Sequence, residues 1–70
     1  MILYGTPEEL AKALEEEAVK LLSLKGRDPH LDKFIDKKLR ILKECLTKLK
    51  RTKTSQVQVI AISSCYLVEL

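Results

Sequence analysis

The chain opens on a short apolar run, Met1-Ile2-Leu3-Tyr4, closed by Gly5, which reads as a brief strand. Thr6-Pro7-Glu8-Glu9 then carries the signals of a helix start. Thr6 can cap, Pro7 suits the first helical position, and Glu8 and Glu9 complement the positive end of the helix dipole. Glu9 also stands three residues after Thr6, as a capping box requires. The spacing predicts a first helix from about Pro7 to Lys25, with Gly26 as its stop. Asp28-Pro29 repeats the start signal and opens a second helix to about Arg51. A link this short forces the two helices into an antiparallel hairpin.

At 100° per residue, Leu10, Ala11, Leu14, Ala18, Leu21 and Leu22 fall on one face of the first helix. Leu31, Phe34, Ile35, Leu42, Cys45, Leu46 and Leu49 share a face of the second. These positions are the expected helical core. After the polar connector Thr52-Lys53-Thr54-Ser55 the pattern changes to strand chemistry from Gln56 to Leu70. Alternation places Val57, Val59, Ala61, Cys65 and Leu67 on one side and Ile60, Ile62, Tyr66, Val68 and Leu70 on the other. Ser63-Ser64 interrupts the run, but neither serine favours the positive φ of a two-residue hairpin turn. The expectation is one long strand, bulged there, with a hairpin at Ser63-Ser64 as the competing outcome. The predicted class is α+β, one domain over residues 1–70, in the order β-α-α-β. A helical hairpin packs on a small sheet that oligomerisation extends.

A strand of that length, about 50 Å at ~3.3 Å per residue, would outrun the second helix, about 33 Å at ~1.5 Å per residue. It would leave an apolar edge bare. Ile60, Ile62, Tyr66, Leu67, Val68 and Leu70 are therefore the predicted oligomer interface.

Composition supports a folded chain, with 46% hydrophobic and 33% charged residues. Seventy residues bury a modest core, so outside support such as oligomerisation is expected. No stretch reaches the length of a membrane span. The charge is segregated: residues 1–26 carry a net −2, residues 27–53 a net +6, and residues 54–70 only Glu69. Lys37, Arg40, Lys43, Lys50 and Arg51, within a longer basic run that includes Lys38, Lys48 and Lys53, are candidate nucleic-acid contacts.

Little else suggests chemistry. Two cysteines and one histidine contain no Cys-x-x-Cys and cannot complete a zinc site, so no metal and no cofactor is expected. Two free thiols imply a cytoplasmic location. His30 and Cys65 would approach one end of the domain if the last strand returned along the second helix, as a nucleophile and base would. The plainer reading is a turn histidine and a buried apolar cysteine. Cys45 lies about 22 Å along the helix from His30, and a Cys45–Cys65 disulfide is disfavoured on the same geometry. Two charges interrupt apolar stripes, Glu17 on the first helix and Lys38 on the second. Facing positions of the hairpin place them at matched heights, which predicts a buried ion pair at the seam.

The order β-α-α-β resembles the minimal core of KH domains, which set a Gly-x-x-Gly loop between their helices. Here the link reads Gly26-Arg27-Asp28-Pro29, without the second glycine, so the resemblance is one of topology and assigns no residues. Thr-Pro-Glu-Glu, Gly-Arg-Asp-Pro and the Leu/Lys/Glu helices match idealised de novo design. They equally match a thermostable protein from a hot environment. The functional expectation is a non-enzymatic scaffold or interaction module that self-associates through its C-terminal strand. The alternative is a nucleic-acid-binding module using the basic face of the second helix.

Overall fold

The computed structural model describes residues 1–70 as an α+β domain in the order β-α-α-β-β. The elements are β1 (Ile2–Gly5), α1 (Pro7–Leu24), α2 (Pro29–Arg51), β2 (Val57–Ala61) and β3 (Cys65–Glu69). The two helices form the expected hairpin over one face of an antiparallel sheet whose strands lie in the order β1-β2-β3.

The helix boundaries follow the local chemistry. Thr6 caps α1 by accepting from the Glu9 N–H at 3.2 Å, and the Leu10 N–H closes on the Thr6 carbonyl at 3.0 Å. Gly26 takes the link through φ +94°, where a side chain would be strained. Asp32 receives the Gly26 N–H at 2.9 Å. Asp28 caps α2 by accepting from the His30 N–H at 2.9 Å. Lys48, Lys50 and Arg51 in the last turn of α2 complement its dipole.

The long-strand expectation is corrected. Three residues, Ile62–Ser64, reverse the chain, and Ala61 pairs with Cys65. A three-residue connection escapes the two-residue turn requirement, and no residue other than glycine has positive φ anywhere in the chain. The reversal also inverts the length argument. The strands of β2 and β3 span about 17 Å at ~3.3 Å per residue, whereas α2 spans about 34 Å at ~1.5 Å per residue. The helices therefore overhang the sheet, and the molecule is 39 Å long but only 19 × 17 Å in section. Leu10 and Leu14, near the start of α1, and Leu42, Cys45 and Leu49, towards the end of α2, are buried with Val57, Val59 and Cys65 of the sheet. Leu22, Leu31 and Phe34, expected in the core, are exposed instead, at the margins of the helix faces whose centres, Leu21 and Ile35, are buried.

The disulfide expectation is corrected as well. Cys45 and Cys65 are bonded, with Cα atoms 5.5 Å apart. The hairpin carries β3 back beneath the C-terminal half of α2, where Cys65 meets Cys45. No free thiol remains. Both cysteines are buried, so the bond fastens β3 to α2 inside the core.

Closing a 20-residue loop restricts the unfolded chain enough to contribute about 3 kcal/mol. The urea midpoint of the reduced protein, or of Cys45→Ser with Cys65→Ser, is therefore expected to fall well below that of the oxidised protein. Coincident unfolding curves would contradict this role for the bond.

Candidate functional site

Side-chain parity along the strands sorts every sheet residue to one of two faces. Cross-strand partners share a face, and the pairing Leu3–Val59–Leu67 lies towards the helices. The Ile2–Ile60–Tyr66 and Tyr4–Gln58–Val68 rows point away from them. An antiparallel sheet with one solvated face normally carries polar residues there. This one carries Ile2, Tyr4, Ile60, Tyr66 and Val68, with Leu70 following β3 and the Gln58 amide donating to the Tyr4 hydroxyl at 2.9 Å. No charged residue belongs to these rows, in a chain that is 33% charged.

The exposures of Ile2 (58%), Tyr4 (66%), Tyr66 (59%), Val68 (42%) and Leu70 (65%) are large enough to define a patch. At roughly 200 Å² per large residue they amount to about 580 Å². That is the upper end of the largest apolar patch on an ordinary monomer, about 300–600 Å².

Of the predicted interface residues, Ile60, Tyr66, Val68 and Leu70 gather on this face. Leu67 does not: it is half-buried and packs on the core from the helix-facing side. Ile62, at the turn, stands beside Phe34, Lys38 and Ile41 under the overhanging helices. Ile2 and Tyr4 complete the face, although sequence reasoning missed them. Their alternation was visible in Met1-Ile2-Leu3-Tyr4, but not that β1 would pair with β2.

The open edge of β3 is guarded. Antiparallel pairing alternates inward and outward hydrogen-bonding groups. The Leu70 N–H donates to the Gln56 carbonyl at 3.0 Å, so the groups of Cys65, Leu67 and Glu69 point to the free edge. Lys48 reaches around from α2 to donate to the Cys65 carbonyl at 2.6 Å, and Glu44 holds its ammonium at 3.3 Å. A lysine placed on a strand edge opposes further strand pairing.

The predicted nucleic-acid contacts Lys37, Arg40, Lys43, Lys50 and Arg51 are all exposed on α2. They lie on its outer side, opposite Ile35, Leu42 and Leu49. Lys25 reaches Asp36 on the same helix at 2.7 Å. The Asp36 hydrogen bond and charge hold the Lys25 ammonium above the ordinary lysine value, so it stays charged through neutral pH.

One other expectation is corrected. Glu17 and Lys38 do border one cavity of about 90 Å³ at the end of the sheet, with Met1, Leu21, Ile41 and Ile62. They form no ion pair within 4.0 Å, and no charged residue of the chain is buried. Lys38 instead lies over the Phe34 ring, 5.1 Å from its centroid. The physical reason is the short sheet: both charges stand where the apolar stripes emerge from beneath it, and solvent reaches them. His30 and Cys65 stay apart, as the plainer reading of both residues expects: Cys65 is bonded to Cys45, towards the end of α2, and His30 is exposed at its start.

No group of three or more metal-ligating side chains converges in the structure. No helix is long and apolar enough to cross a membrane. Comparisons with protein-family models, with curated proteins and with solved structures found no match to this chain.

Because Glu17 and Lys38 are not paired, Glu17→Ala and Lys38→Met should each change stability by less than about 1 kcal/mol. Their effects should add within about 0.5 kcal/mol. A coupling above that value in a denaturation double-mutant cycle would establish the ion pair after all.

Proposed function

We propose that this protein is a non-enzymatic interaction module that self-associates by packing the outer face of its sheet against that of a second copy. The observation that carries the reading is the uncharged apolar face of Ile2, Tyr4, Ile60, Tyr66, Val68 and Leu70. Area supports it. A standard interface takes about 800 Å² from each partner, and the apolar residues alone offer about 580 Å² at roughly 200 Å² each before Gln58, in the middle of the face, is added.

Charge supports it too. The chain carries a net +3, yet two copies of this face meet without placing like charges together. Two sheets facing each other about 10 Å apart, with helices outside, give a layered dimer. Edge pairing through β3 is the lesser reading, because Lys48 blocks one end of that edge and the apolar face would stay bare.

A cytoplasmic location rested on free thiols. A bonded pair belongs more naturally to an oxidising compartment, or to the cytoplasm of a hyperthermophile. The Lys- and Glu-rich helices suit the second of these.

Light scattering is expected to give twice the mass of the chain at high micromolar concentration, in both low and high salt. Tyr66→Lys with Val68→Lys should return the protein to monomer with its helical content intact. Glu69→Pro, which removes an edge N–H and touches no outer-face residue, should leave the dimer unchanged. A monomeric wild type, or a dimer lost through Glu69→Pro but kept in the double lysine variant, would overturn the face-packing model.

A further inference from the structure

The side of α2 remote from the sheet is a second surface with a different chemistry. Lys33, Lys37, Arg40, Lys43, Lys50 and Arg51 are exposed there. At 100° per residue they occupy an arc of about 140°. The same arc contains three acids, and each is engaged elsewhere. Asp36 is held by Lys25 from the end of the hairpin's first arm at 2.7 Å. Glu44 is held by Lys48 at 3.3 Å. Asp32 is turned to the Gly26 N–H at 2.9 Å. The six bases have no carboxylate within 4.0 Å. Compensation of the helix dipole accounts only for those in the last turn, Lys50 and Arg51.

We infer that this face is an interaction surface for the phosphate backbone of duplex nucleic acid. From Lys33 to Arg51 the bases extend about 27 Å at ~1.5 Å per residue. A rigid rod of that length runs past about eight phosphates of one strand at ~3.4 Å per nucleotide. The arc has no aromatic residue on which unpaired bases could stack, which separates it from single-strand binders. It has no apolar residue to bury in an acyl layer: the exposed Leu31 and Phe34 of α2 lie outside the arc, and Ile35, Leu42, Cys45 and Leu49 are buried in the core. It has one arginine near its middle and no Asn or Gln to read base edges, so contact is with the backbone and carries no sequence preference. This inference does not depend on self-association: the basic arc and the sheet's outer face lie on opposite sides of the molecule, so a face-packed dimer would leave both arcs free.

The test is fluorescence anisotropy with a labelled 20-base-pair DNA duplex of arbitrary sequence, using the intact disulfide-bonded chain. Six phosphate contacts give a slope of about −5 in log K against log salt, so affinity should fall about a thousandfold between 50 and 200 mM salt. Arg40→Ala with Lys43→Ala should flatten the slope by about 2. Lys12→Ala with Lys20→Ala removes the same charge from α1 and should leave the slope nearly unchanged. Circular dichroism matching the wild type confirms that both double variants are folded. Three results would overturn the assignment: no binding at 50 mM salt, equal flattening by both double variants, or capture by anionic lipid vesicles with none by the duplex.

Discussion

The reversal of the chain at Ile62–Ser64 governs the rest of this structure. It folds an apolar stretch back on itself, so that β3 lies beside β2 and under α2. Cys65 thereby reaches Cys45, and Lys48 reaches the Cys65 carbonyl. It halves the reach of the strands, and the helices consequently overhang the sheet. It also makes the sheet three strands wide, enough to present a continuous outer face. Without the reversal none of these features would exist in this form, although the helical hairpin would be unchanged.

The helices were legible because their signals are local. Thr6, Pro7, Gly26, Asp28 and Pro29 act within a few residues of themselves, and the structure uses each as its chemistry suggests. The faces of the C-terminal segment were legible too. A three-residue loop between Ala61 and Cys65 pairs odd positions with odd, so the alternation read along one strand persists across two. What escaped was the turn, since Ser63 and Ser64 carry none of the glycine or asparagine that marks a tight hairpin. Two further errors descend from it. The disulfide and the solvation of Glu17 and Lys38 depend on how far the sheet extends. Of the candidate interface, the four outward residues of the C-terminal segment were recoverable from parity, whereas Ile2 and Tyr4 required the long-range pairing of β1 with β2.

Charge and apolar surface are sorted to opposite sides of the molecule. The outer sheet rows hold no ionised group, while the solvent side of α2 holds six unpaired bases. A small domain usually mixes both signs over its surface to stay soluble and monomeric. Here bases outnumber acids on α2, where the acids are engaged by Lys25, Lys48 and the Gly26 N–H, and the outer face of the sheet carries no charge at all. Such sorting lets one surface associate without electrostatic cost while the other sets the long-range field.

The overhang also bears on how the protein tolerates change. The link at Lys25–Asp28 sits at the end of the molecule farthest from the sheet, and a Cβ built at Gly26 meets nothing within 4 Å. Both helices are already capped by their own residues at that point, so lengthening the link disturbs no strand register and no buried side chain. The entropic cost of a longer closure rises only slowly, about 0.6 kcal/mol for each doubling. The hairpin tip is thus a natural place to graft a foreign loop, an epitope or a second domain, held beyond the sheet by two helices that need no help from the insert to stay folded.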